Sequence, residues 1–224
     1  MKSRSIFAAL ALVFAVAASA SASDPPALGD RLTRLGYAEA NPLTQFDPTG
    51  LDCVTADGFT KCRFPGGPSF RVPAQPGFPA YMGPTHPLYH AYDVVQRLAP
   101  ADRECVLKML KDNPTPGLPN AATAAGTPNN AVVEFVTDSN IVTSFLTNDL
   151  NTGAQLVVNI TGPGSRFGPG YVARTVTDGV LHTYGEGTNF IQSSLMPSLL
   201  TAVANEYVWG REMKMIVQRC TCRR

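Results

Sequence analysis

Basic charge is the first thing this sequence lacks. Lys and Arg number 18 against 17 Asp and Glu, and from Asp52 onward the count is 14 against 13, a net of +1. A nuclease that grips any DNA needs a basic stripe for the phosphate backbone, so that class is disfavoured. Selective recognition of one RNA needs only a local patch and survives this test. Long apolar runs are missing after the first residues, and none reaches the roughly 18 positions of a membrane-spanning helix. Histidines number only three, which limits acid–base and metal chemistry to few places. There is no Gly-x-Ser-x-Gly nucleophile elbow and no internal repeat.

The N-terminus is different in kind. Lys2 and Arg4 precede an apolar run over residues 6–18, and Ala18-Ser19-Ala20 and Ala20-Ser21-Ala22 are both small-x-small cleavage sites. This is the pattern of a secretory signal peptide, so residues 1–22 are expected to be removed and the mature chain to begin at Ser21 or Ser23. No Cys follows the cleavage site, so a lipid anchor is not expected. The expected destination is secreted or periplasmic, without stable membrane insertion.

Residues 23–51 form a polar, Pro-containing lead. Within it Tyr37, Asn41, Pro42, Leu43, Asp47, Pro48, Gly50 and Leu51 stand in order. This Tyr…Asn-Pro-Leu…Asp-Pro-x-Gly-Leu arrangement resembles the closing segment of the Rhs repeat-associated core. In that family a shell of Tyr-Asp repeats ends in this signature and a variable toxin domain follows. The resemblance implies that residues 52–224 are a single toxin-type effector domain, with a cognate immunity protein as its partner. It leaves the chemistry open, because the family varies that part. The repeats and the upstream half of the self-cleavage apparatus are not in this sequence.

Five cysteines in an exported chain predict disulfides. Cys53 and Cys62 flank Asp57-Gly58, the preferred two-residue hairpin turn. Counting outward pairs Ala56 with Phe59, Thr55 with Thr60, Val54 with Lys61 and Cys53 with Cys62. Alternation makes the last a non-hydrogen-bonded pair, whose Cα separation of about 4.5 Å a disulfide accepts. Cys105 is expected to bridge either Cys220 or Cys222, leaving the other free.

Seven prolines between Phe64 and Pro87 exclude a regular helix or a central strand there. Residues 88–98, opened by Pro87, and 101–111, opened by Pro100, are expected as short helices. Residues 114–128 are expected as a surface loop. Short β-branched runs at 131–136, 141–146, 155–161, 171–176 and 180–184 predict strands. Pro197 opens an amphipathic helix that Gly210 may interrupt before 212–218. Trp209, Tyr207 and the nearby Met residues are expected to fill the core. The fold class is α+β: a small antiparallel sheet of about five strands in the second half, packed with a C-terminal helix, short helices and long Pro/Gly-rich loops.

The densest set of reactive residues runs from Gly170 to Gly187. It reads as a hairpin turning at Asp178-Gly179, on which His182, Tyr184 and Glu186 share one parity. A two-residue turn sets Thr175 opposite His182, and a three-residue turn sets Arg174 there. Under the second register Arg174, His182 and Glu186 converge as catalytic residues. Carboxylate and imidazole then exchange the proton while the guanidinium steadies a phosphorane, which suffices for phosphodiester cleavage without a metal. Tyr184 and Thr175 are the candidate substrate contacts. The glycines flanking Glu186 suggest close approach of a ligand.

Two rival sites are weaker. His86, His90 and Asp93 have helical metal-ligand spacing, but Pro87 spoils the first turn and no Glu stands between the histidines as in a metalloprotease. Cys105 could be a thiol nucleophile, though an exported Cys is more often bridged. No metal and no cofactor are expected. The resulting expectation is an exported Rhs-type toxin, a hydrolase with metal-independent ribonuclease activity foremost. The alternatives are a non-enzymatic secreted binding module on a toxin scaffold and a periplasm-acting toxin against peptidoglycan or lipid.

Overall fold

The computed structural model describes residues 52–132, 140–189 and 206–221. The expected signal peptide, the segment resembling the Rhs core, most of the strand expected at 131–136, the helix start at Pro197 and Cys222 lie outside these residues.

The chain opens with a hairpin of β1 (Asp52–Ala56) and β2 (Phe59–Arg63). Asp57 and Gly58 both have positive φ, 51° and 75°, the signature of a type I′ turn whose twist matches the strands. The pairing is as expected, down to Cys53 opposite Cys62, and these two are bridged with their Cα atoms 4.1 Å apart. Strand β3 (Ser69–Pro73) adds to β2 and the short β4 (Tyr81–Met82) to β1, giving the order β3-β2-β1-β4. The proline-dense stretch thus supplies only edge strands, where a missing N–H is tolerated.

Residues 88–98 are not helical. They contain β5 (His90–Arg97), whose eight residues pair antiparallel with β10 (Val180–Gly187). Pro87 as a helix opener is a weak local preference, and a full ladder with a partner strand outweighs it. Side-chain exposure along β5 accordingly alternates with period two. The expected helix at 101–111 does form, as α1 (Arg103–Asp112), with the Asp102 carboxylate accepting from the backbone N–H groups of Glu104 and Cys105.

The larger sheet continues through β6 (Thr127–Asn130), β7 (Ile141–Asn148), β8 (Gln155–Thr161) and β9 (Gly170–Thr177), in the order β5-β10-β9-β8-β7-β6. A single π turn (Glu206–Gly210) leads into α2 (Arg211–Thr221). The α+β class holds, with a second sheet besides the expected one and a sixth strand drawn from the first half.

The six-stranded sheet is the middle layer. One face packs Phe145, Val158 and Tyr171 against Phe70, Val72 and Met82 of the small sheet. The other packs Val157, Val176 and Leu181 against Val106, Leu110, Met213 and Ile216 of the helices. Burial on both sides explains why β8 is buried at every position from Leu156 to Thr161. A second disulfide, Cys105–Cys220, ties α1 to α2, so Cys105 is not a thiol nucleophile. Trp209 and Met213 belong to the core as expected, whereas Tyr207 and Met215 are exposed. Among the described residues no helix is long and apolar enough to cross a membrane.

Candidate functional site

The hairpin of β9 and β10 decides where the candidate residues go. Asp178 and Gly179 have φ of 50° and 73°, again a two-residue I′ turn, and Thr177 pairs with Val180. His182 therefore faces Thr175, and Arg174 faces Thr183. The register that would have joined Arg174 to His182 is not the one adopted. A one-residue difference in register sends the guanidinium to the opposite side of the sheet.

On that side Arg174 is fully buried. Its Nη1 donates to Glu212 Oε1 of α2 at 3.0 Å, and its guanidinium carbon lies 5.4 Å from the Trp209 ring centroid. Burial raises the Glu212 pKa above its ordinary value, and the Arg174 charge and hydrogen bond offset this only in part. Arg174 therefore holds the sheet to α2. Replacing it with Met should destabilise the fold by about 3 kcal/mol, the lower end for breaking a buried pair, because the stranded Glu212 can take up a proton.

The sign of the pH effect follows. A carboxyl whose folded pKa lies above its unfolded one stabilises fully at pH below the ordinary 4.5. That contribution is lost as pH rises through the folded value. Without Arg174 the folded value climbs further. The melting-temperature deficit of Arg174→Met should thus be larger at pH 8 than at pH 5; equal deficits would contradict the pairing.

His182, Tyr184 and Glu186 do share a face, as parity requires, but they are not equivalent. His182 is partly exposed, and its Nδ1 lies 3.2 Å from Asp93 Oδ2 on β5. The imidazole stacks on Tyr184, with ring centroids 5.2 Å apart and planes 4° from parallel. Tyr184 is buried against Phe64. Its pKa is pushed up to about 12, by burial first and then by the negative charges of Asp93 and Asp149. Its phenol stays neutral at ordinary pH and is too enclosed for direct substrate contact. Thr175 is likewise buried, its hydroxyl donating to the Gln155 carbonyl.

Glu186 lies deeper, only 2% exposed. Tyr89 donates its hydroxyl to Glu186 Oε1 at 2.9 Å. Tyr171 sits on its other flank, its phenol pKa raised by burial and then by the Glu186 charge. Four residues of strand put Glu186 about 13 Å from His182 at roughly 3.3 Å per residue, with Tyr184 between them. The two cannot serve one phosphate together. The flanking glycines have a packing explanation too. A Cβ on Gly185 would fall 2.2 Å from the Tyr92 ring, and one on Gly187 2.9 Å from the His90 ring. These positions are taken by rings of β5, not left open for a ligand.

Because β5 is a strand, His90 and Asp93 point to opposite faces, and the three-residue metal arrangement with His86 is lost. Among the described residues no group of three His, Cys, Asp or Glu side chains is placed to hold a metal ion. Asp93 is the residue that sequence reasoning missed in this role. Its signal was the alternation of His90-Ala-Tyr-Asp93-Val-Val, which as a strand sets Asp93 opposite Tyr184 and diagonal to His182. No protein-family model matches this chain, and no curated protein is detectably similar to it.

Proposed function

We propose that residues 52–224 are an Rhs-type toxin effector domain, exported behind the 1–22 leader, and that it is a hydrolase with RNA as its favoured substrate. The observation that carries this reading is the His182–Asp93 pair, joined to the lead segment's resemblance to the Rhs core. An Nδ1–H donated to Asp93 leaves Nε2 as the basic nitrogen. His182 then takes the proton of an attacking 2′-hydroxyl as the new P–O bond forms. It returns that proton to the departing 5′-oxygen, and Asp93 steadies the imidazolium in between. This step needs no metal, and neither Arg174 nor Glu186 takes part.

A non-enzymatic secreted binding module is the second reading, favoured by one observation: packing has consumed two of the three expected acid–base groups, Arg174 and Glu186. Expression of residues 52–224 in two compartments separates the possibilities. The cytoplasmic strain must permit disulfides, since an ordinary cytoplasm would leave both bridges reduced. Growth arrest with RNA fragmentation in the cytoplasm is the expected result. Arrest confined to the periplasm would redirect the search to peptidoglycan or lipid. Folded protein that is harmless in both would favour the binding module.

A further inference from the structure

A cleft of about 260 Å³ opens on the helix side of the six-stranded sheet, away from His182. It lies where α1 ends, bounded by the 113–117 turn, Val132, the π turn and α2. Its walls are apolar, built from Met109, Val132, Val208, Met215 and Ile216. Val132, Tyr207 and Met215, all at this cleft, are among the few large apolar side chains left exposed. That volume is just below the usual range for small-molecule sites.

Two buried polar atoms break the apolar lining. Thr115 is 2% exposed and Glu212 8% exposed, and both line the cleft. Thr115 Oγ1 and Glu212 Oε2 are without a hydrogen-bond partner. Such groups are expensive to bury unmatched, and each calls for an explanation. Glu212 spends only Oε1 on Arg174, so its second oxygen remains an acceptor directed at the cleft.

We propose that this cleft binds a small apolar molecule carrying one neutral hydrogen-bond donor, an N–H or O–H, directed at Glu212 Oε2. A cationic head fits poorly, because Arg174 already balances the Glu212 charge and Arg211 and Arg219 add positive charge at the cleft. An anionic head would meet the carboxylate in an apolar setting. A neutral donor satisfies the acceptor at no charge cost, while an aromatic or aliphatic body fills the space between the Met and Ile side chains. The site is independent of the hydrolase reading.

Calorimetric titration of the mature protein with indole, and with indene as the matched shape lacking the N–H, tests the proposal. Indole should bind saturably and indene at least about tenfold more weakly, since a site built around a buried acceptor rejects the analogue that leaves it unpaired. Met215→Trp should fill the cleft and abolish indole binding, with circular dichroism verifying the fold. Thr115→Val, which keeps the side-chain shape, should preserve the preference for indole over indene if Glu212 is the acceptor. Equal affinity for indole and indene, or no saturable binding of indole or phenol, would overturn it.

Discussion

Replacing His182 with alanine is expected to lower hydrolytic activity by a factor of roughly 10²–10⁴, the usual loss when one general acid–base group is removed. The fold should barely notice. His182 is partly exposed and its ring packs on one side only, against Tyr184. Asp93→Asn should act through the same ring as a positioning change. The amide cannot accept the Nδ1–H as a charged partner, so the activity loss should appear in kcat and in the pH profile rather than in KM. Glu186→Gln gives the opposite signature: activity within a few fold of normal and a lowered melting temperature, because that carboxylate is enclosed by Tyr89 and Tyr171. If Glu186→Gln removed activity while leaving stability intact, the pairing of His182 with Asp93 would be the wrong centre.

Loss of the Cys105–Cys220 bridge is expected to destabilise the protein by about 5 kcal/mol on the chain-entropy estimate. The two residues are 115 positions apart, and closing so long a loop removes much freedom from the unfolded chain. Loss of Cys53–Cys62, separated by only 9 positions, should cost about 2–3 kcal/mol on the same estimate. The long-range bridge also joins α1 to α2, the two helices that cover one face of the central sheet. Cys105→Ser/Cys220→Ser should therefore melt well below Cys53→Ala/Cys62→Ala. A reversed order in equilibrium denaturation would show that unfolded-state entropy is not the governing factor.

Hairpins were the most legible part of this chain. Asp57-Gly58 and Asp178-Gly179 each adopt the turn that dipeptide favours, and the first sets the Cys53–Cys62 register without help from the rest of the molecule. The strands at 155–161 and 141–146 were equally readable, because β-branched runs between turn residues carry their own signal. Residues 88–98 were misread for a definable reason. An eight-residue segment behind a proline carries little local preference, and its choice of strand rests on β10, which lies far along the chain.

The candidate site divides along the same line. Parity along β10, a property of one strand, placed His182, Tyr184 and Glu186 on a common face from sequence alone. Local turn chemistry even contained the answer for Arg174, since Asp-Gly favours the two-residue turn that turns it away. Which of these side chains stays reachable depended on layers the sequence does not display: the small sheet closing over Tyr184, the tyrosines enclosing Glu186, and α2 drawing Arg174 into a buried pair. Local conformation follows from neighbouring residues, whereas burial and partnership follow from segments that meet only after the chain has folded.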